Sequence, residues 1–263
     1  MSHDRFFYTN VKTDTGKSRQ NNEDNFIFNK IINEEFSDSV SMEATEKIKD
    51  YWLCYAVFDG MGGIDSGEIA AKIMAEECAK NLTQLDINSD YSKIDESVIK
   101  AIQEGNKRVV ENSANLGICG TTATILMTDG IVFKMYHLGD CRGYVFRNNQ
   151  VLKVTEDHTV AEMKRKLGFE ESQITQKEYN QLTEYVGADK RCGGLRPQES
   201  DWIGFKAGDK IILCTDGLYN QCTNMGEAIQ LREEGKIVDH LVENALNNGG
   251  DDNITCILIS CRE

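Results

Sequence analysis

The sequence predicts an α+β fold, two mainly antiparallel sheets with helices packed outside, and three observations point to it. Short apolar runs of strand length recur along the 263 residues. Several strands come first, then two helices, several more strands, and finally one helix and one strand, which is not the alternation of a parallel βαβ sheet. Five acidic motifs sit at the ends of the apolar runs with consistent polarity. Asn22-Glu23-Asp24 opens the run Phe26-Ile27-Phe28, and Asp251-Asp252-Asn253 opens the run from Ile254 to Ile259. Asp59-Gly60, Gly139-Asp140 and Asp216-Gly217 close theirs. A strand that begins with a carboxylate and an antiparallel neighbour that ends with one place both at the same sheet edge.

The elements follow in order. Residues 5–28 hold two strands separated by the turn Thr13-Asp14-Thr15-Gly16-Lys17. Residues 29–50 are polar and acidic, and read as a solvated excursion with a short helical piece. Tyr51 to Phe58 is almost wholly apolar, as a central strand covered on both faces should be. Asp65 or Ser66 can cap a helix whose inward stripe is Ile69, Ile73, Met74 and Cys78. A second helix spans about 95–111, with Val98, Ile102, Gly105 and Val109 on one face. A β-rich stretch starts at Gly120, and Asn148-Asn149 is a hairpin turn, because Asn tolerates positive φ. Residues 156–200 are polar and irregular and contain the only proline, Pro197; beside a site, such a segment is a candidate lid or substrate-reading flap. Lys210 to Thr215 is a buried strand, Ile237 to Ala245 a helix stopped by Asn247-Asn248-Gly249-Gly250, and Ile254 to Ser260 the last strand. With no repeat or linker, one domain over 1–263 is expected, carrying the flap.

A formal net charge of −14 argues against nucleic-acid binding, which requires clustered Lys and Arg. The nine cysteines form no Cys-x-x-Cys and several lie inside apolar runs, so they read as buried, reduced thiols. No apolar segment follows the first residues and no run reaches membrane-spanning length, so a cytoplasmic monomer without membrane contact is expected.

Carboxylates gathered at one edge repel one another, and burial adds to the cost of their charge. Hard divalent cations with oxygen ligands relieve that cost. Asp59, leaving a central strand and followed by glycine, is the best candidate to bridge two ions, and the Gly60 carbonyl can serve as a further oxygen ligand. Two ions about 3.5–4 Å apart can hold a hydroxide for in-line attack on phosphorus, which makes this a candidate hydrolase of phosphate esters. Arg19, three residues before Asn22, can grip phosphate oxygens with its planar guanidinium, although spacing alone equally allows a solvated surface group. Arg142 is better read as a structural partner for a carboxylate. Gly16-Lys17-Ser18 lacks the first glycine of a phosphate loop, since position 11 is Val. His3, His137, His158 and His240 have no zinc spacing. Cys141 to Arg147 matches a Cys-x5-Arg thiol phosphatase pattern, but the residues between read as a strand, and Asp140 would raise the thiol pKa.

Together these stretches resemble the metal-dependent Ser/Thr protein phosphatases of type 2C in their bacterial form. The resemblance covers essentially the whole chain, through Arg19-x-x-Asn22-Glu23-Asp24, Val57-Phe58-Asp59-Gly60-Met61-Gly62-Gly63, Gly120-Thr121-Thr122, Gly139-Asp140-Cys141-Arg142, Asp157-His158, the stretch from Tyr179 to Gly187, Cys214-Thr215-Asp216-Gly217-Leu218 and Gly250-Asp251-Asp252-Asn253-Ile254-Thr255. It implies a four-layer α-β-β-α sandwich with manganese or magnesium in a cleft at one end of the sheets. It further implies that Asp59 bridges two ions, Gly60 lends its carbonyl, Asp216 and Asp252 hold the first ion, and Glu23 helps to hold the second, with Asp24 beside it contacting metal or metal-bound water. Asp140 and Asp216 match a weaker third position, and Arg19 matches the group that binds substrate phosphate. The implied reaction is hydrolysis of phosphoserine or phosphothreonine in proteins, targets of a Ser/Thr kinase, by direct attack of a metal-bridging hydroxide. Two residues depart from the pattern: Met61 stands where eukaryotic members have a histidine, and Cys141 replaces the usual serine. A non-catalytic phosphatase-fold sensor and a Cys141-dependent phosphatase are the competing readings.

Overall fold

The computed structural model describes residues 6–35, 38–47, 50–62, 66–116, 119–188, 195–222, 225–230 and 233–262. The strands are β1 (Phe6–Asp14), β2 (Asp24–Phe28), β3 (Ile31–Ile32), β4 (Ser39–Lys47), β5 (Leu53–Gly62), β6 (Cys119–Thr121), β7 (Ala123–Thr128), β8 (Val132–Leu138), β9 (Arg142–Arg147), β10 (Gln150–Lys153), β11 (Gln198–Glu199), β12 (Ile203–Gly204), β13 (Lys210–Cys214) and β14 (Ile254–Arg262). The helices are α1 (Gly67–Leu82), α2 (Tyr91–Leu116), α3 (Val160–Lys166), α4 (Gln176–Tyr179), α5 (Asp216–Tyr219), α6 (Met225–Ile229) and α7 (Ile237–Asn247). One sheet has the order β10-β9-β13-β14-β1-β4; the other runs β11-β8-β7-β5-β2-β3, with β12 beside β8 and β6 beside β5. All of these pairings are antiparallel.

The side-chain alternation of two strands explains why the sheets stack. In β5, Cys54, Ala56 and Phe58 pack on the layer formed by α1 and α2, whereas Leu53, Tyr55 and Val57 point between the sheets. In β14, Ile257, Ile259 and Cys261 meet them there, and Ile254, Cys256 and Leu258 turn outward to α5–α7. A strand buried on both faces reads as an unbroken apolar run, which is why both were visible in the sequence. The result is helix, sheet, sheet, helix, held by three apolar layers.

Several expectations meet their residues. The Asn148 and Asn149 turn has φ of 54° and 61°, the left-handed pair that a two-residue hairpin needs. Ser66 takes the N-cap place of α1 without a side-chain cap bond, while Asp65, the other proposed cap, lies outside the described residues, as does Gly63. Eight cysteines are free and buried; Cys192 falls outside the described set.

One expectation is corrected. Residues 29–50 are not a solvated excursion with a helical piece, because β3 and the nine-residue β4 occupy much of them. Strand β4 is the edge of the six-stranded sheet: Val40, Met42 and Ala44 pack inward with the buried Glu46, while Ser39, Ser41, Glu43, Thr45 and Lys47 face out. Charged and polar residues on an edge strand discourage pairing with a stray strand, and they also hide the strand from a hydrophobicity reading.

Candidate metal centre and active site

The antiparallel register brings the acidic motifs together. Asp24 lies directly opposite Asp59 across β2 and β5. On the other sheet, β13 ends opposite the start of β14, with Cys214 paired to Cys256, and β9 begins beside the same end, with Arg142 paired to Cys214. Asp216, Asp252 and Asp140 follow or precede these positions by two residues or fewer from the strand ends, so both sheets deliver carboxylates to one end of the sandwich. There Arg19, Glu23, Asp59, Gly60, Met61, Thr122, Asp140, Asp216 and Asp252 line a cavity of about 260 Å³. Asn180 and Leu182, from the segment 156–200, complete its wall.

Backbone contacts fix the floor. The Asp59 N–H donates to Thr122 Oγ1 at 2.9 Å, and the Asp59 carbonyl accepts from the Thr122 N–H at 2.9 Å and from Thr121 Oγ1 at 3.0 Å. A side chain at Gly60 would meet the Gly67 carbonyl oxygen at 2.2 Å and the Glu23 carbonyl oxygen at 2.6 Å, and one at Gly67 would meet Glu23 Oε2 at 2.9 Å. Only glycines let β5, Glu23 and the start of α1 cross so closely. Asn253 ties the third strand in: its Oδ1 accepts from the Glu23 N–H at 2.8 Å, and its Nδ2 donates to the carbonyls of Thr15 and Asn21.

Burial, and then the neighbouring carboxylates, dominate the electrostatics. Asp59 is pushed well above the ordinary carboxylate range by burial and then by Asp24, Asp216, Asp140 and Asp252. Burial and the charges of Asp216 and Asp157 push Asp140 up to about 7; burial and Asp252 push Asp216 up to about 6, against the opposing pull of Arg19. Glu23 is also raised, by burial first and against the pull of Arg19.

Two expected site residues are placed differently from the rest. Asp24 does not line the cavity: it is buried behind Asp59, and its Oδ2 accepts from Thr215 Oγ1 at 2.8 Å and Thr255 Oγ1 at 2.6 Å. Burial raises it to about 7 even though the two hydroxyls oppose the shift. Arg19 reaches Asp252 Oδ2 at 2.8 Å, so its guanidinium sits on a predicted ligand at the cavity mouth. The sequence reading did not single out Thr215, Thr255 and Asn253 for these roles. Each stands one residue or a few residues from a carboxylate at a strand end, and that adjacency is the signal that could have flagged them.

The residues present fit a hard divalent cation. The lining is oxygen-rich, the strongly shifted groups on it are carboxylates, and among the described residues no histidine or cysteine joins the cavity wall. Among the described residues, no three acidic, His or Cys side chains already close on one ion position; the carboxylates share a cleft instead of a preformed cage. The thiol reading fails on the same geometry. Cys141 is buried, burial and then Asp59 and Asp140 hold its thiol well above its ordinary pKa, and Arg147 lies at the far end of β9, paired with Asp209. Six residue steps along the strand place the two about 20 Å apart.

Known proteins agree with this architecture. Residues 12–165 match the family model described as Protein phosphatase 2C. The chain is 28% identical over 209 residues to the serine/threonine protein phosphatase PstP of Mycobacterium tuberculosis (strain ATCC 25618 / H37Rv), covering 77% of this chain and 39% of that protein, so it spans well under half of that relative. It is 27% identical over 262 residues to the serine/threonine phosphatase stp of Listeria monocytogenes serotype 4b (strain F2365), covering 96% of this chain and 95% of that protein. Among solved structures, the S. agalactiae serine/threonine phosphatase superposes with a TM-score of 0.80 at 23% identity, covering 98% of this chain and 100% of that one. The catalytic domain of PstP, in complex with two manganese ions, superposes with a TM-score of 0.76 at 24% identity, covering 98% and 100%. The α-β-β-α sandwich is therefore a fold shared with solved phosphatases, and this chain belongs to the protein phosphatase 2C family.

Proposed function

We propose that the protein is a manganese- or magnesium-dependent phosphatase that hydrolyses phosphoserine and phosphothreonine in proteins. The observation that carries this reading is the convergence of Glu23, Asp59, Asp140, Asp216 and Asp252, from separate stretches of sequence, on one cleft where Asp59, Asp140 and Asp216 are held above the ordinary carboxylate range. Two divalent ions held there, with room for a weaker third, would neutralise these charges, activate water and offset charge on the phosphoryl group. Asp59, on the floor between the two sheets' contributions, would be the bridging ligand, with the Gly60 carbonyl beside it. Asp216 and Asp252 would hold the first ion and Glu23 the second. Asp24 adds its charge from behind, through the oxygen that Thr215 and Thr255 leave over. Arg19 clamps substrate phosphate oxygens from the mouth, where its present partner is Asp252. Met61 lines the cleft and has no proton to give the leaving oxygen.

The segment 156–200 serves in this reading as the flap of one domain spanning 1–263, facing the peptide around the phosphorylated residue. Gln176, Tyr179 and Asn180 line a second cavity of about 500 Å³, which shares Asp140, Asn180, Asp216 and Asp252 with the cleft. The names of the relatives support a phosphoprotein substrate made by a Ser/Thr kinase. A cytoplasmic monomer is the compatible setting; among the described residues no helix is long and apolar enough to cross a membrane.

The test is hydrolysis of an aryl phosphate and of phosphopeptides with Mn2+, with chelator, and in Asp59→Ala and Asp216→Ala. Turnover should require the metal and both carboxylates. Turnover that persists in chelator, or through both substitutions, rejects the reading.

A further inference from the structure

We infer that Tyr219 is a positioning residue that sets the spacing between Asp140 and Asp216, and thereby tunes the weaker cation position that those two carboxylates would form. The inference rests on the metal-dependent reading above. Asp216 is the first residue of α5 and Tyr219 the last, so both ride on one helical turn. The Tyr219 hydroxyl donates to the Asp140 carbonyl at 3.1 Å, spanning from that turn to the loop that joins β8 and β9. One rigid aromatic side chain therefore links the backbone that carries one carboxylate to the backbone that carries the other.

Tyr219 is itself held in place. The Arg142 guanidinium carbon lies 3.6 Å from the centroid of its ring, close enough for a strong cation–π contact. Arg142 is pinned in turn: Nη2 donates to Asp157 Oδ2 at 2.7 Å, Nε donates to both oxygens of Asp157, and Nη1 donates to Tyr144 Oη at 3.3 Å. Lys153 closes the far side of Asp157 at 2.9 Å. Arg142 follows Asp140 by two residues, so the same β8–β9 loop and β9 start supply both the carbonyl that receives the Tyr219 hydroxyl and the guanidinium that packs on its ring. A half-buried tyrosine gripped at face and tip has little freedom to let Asp140 drift from Asp216.

The experiment is calorimetric titration of the whole chain with Mn2+ alone, with thermal melting of each variant in chelator alongside. The wild type should show a tight phase and a weaker phase, and Asp140→Asn should abolish the weaker one. Tyr219→Phe keeps the ring and removes the tether, and should weaken only the weaker phase, by about fivefold, as loss of one hydrogen bond of ordinary strength implies. Arg142→Lys, whose ammonium cannot lie flat on the ring, should move that phase in the same direction. In the Asp140→Asn background, Tyr219→Phe should change nothing further. A weaker phase unchanged in both Tyr219→Phe and Arg142→Lys overturns the inference, as does an equal loss in both phases accompanied by a lower melting temperature, which marks a merely structural role. A wild-type chain that binds no Mn2+ overturns the metal reading itself, and this inference with it.

Discussion

Three carboxylates of the cavity and a fourth, Asp157, close enough to act on Asp140, behave in opposite ways. Asp59, Asp140 and Asp216 are raised by burial and by neighbouring carboxylates, with Arg19 the one arginine on the cavity wall among the described residues. Burial alone would raise Asp157 too, but the hydrogen bonds and charge of Arg142, joined by Lys153, outweigh it and bring Asp157 below the ordinary range. The chain compensates Asp157 with its own cations and leaves Asp59, Asp140 and Asp216 largely without one. Charge that the fold does not neutralise marks the functional end of the molecule.

The largest expected effect strikes the uncompensated group. Asp216→Asn should lower phosphopeptide turnover with Mn2+ by at least about a hundredfold, since a direct ligand matters no less than the outer partners whose loss costs that much. In chelator the same substitution should raise the melting temperature by about 2–4 °C, because removing one repelling charge is worth on the order of 1 kcal/mol in a chain of this size. Melting curves with and without chelator check the opposite signs. Asp157→Ala should do the reverse to the folded state: Arg142 is left without its partner, and a partly buried pair broken on one side costs about 3 kcal/mol, read as a lower denaturation midpoint.

Gly60→Ala presses a methyl group against the Gly67 and Glu23 carbonyls, backbone that cannot step aside, and should cost about 3 kcal/mol with activity falling in parallel. Denaturant titration and a turnover assay would show it.

A third kind of buried group is the neutral one. His137 Nε2 lies 2.9 Å from the Gly139 carbonyl, so that nitrogen carries the proton and Nδ1 accepts from Thr124 Oγ1. Burial, and then His158, push its imidazole down to about 3. The unfolded chain takes up that proton near pH 6.5, so stability is whole above that pH and falls as pH drops toward the folded value, by at most about 1.4 kcal/mol per unit. His137→Gln should flatten the acid limb of a stability–pH curve between 6.5 and 5. Cys141→Ser should be the mildest change, with turnover within about twofold of wild type, since a hydroxyl of similar size can still meet Thr122 at 2.9 Å.

The sequence showed those parts of the site whose position is set by strand ends. An Asp-Gly after a long apolar run marks a strand end at Asp216, two residues past β13. At Asp59 the strand instead runs on through Gly62 by pairing with β6, so that expected strand end is corrected. Strand β4 was hidden because an edge strand shows its polar face and buries only three modest apolar side chains. Thr215 and Thr255 were hidden for another reason. A threonine in a β-rich run is ordinary, and only the crossing of β13, β14 and β2 reveals that both hydroxyls end on Asp24. The Tyr219–Arg142 contact was equally out of reach, since its partners are 77 positions apart in the chain and no periodicity connects them.

The most direct measurement is the number of Mn2+ ions bound by the purified chain and by Asp59→Asn, counted by calorimetry under identical conditions. Wild type should take up at least two ions per chain, and Asp59→Asn should lose the tight uptake. Equal uptake by both, or none by the wild type, would contradict the claim that these carboxylates converge to share cations.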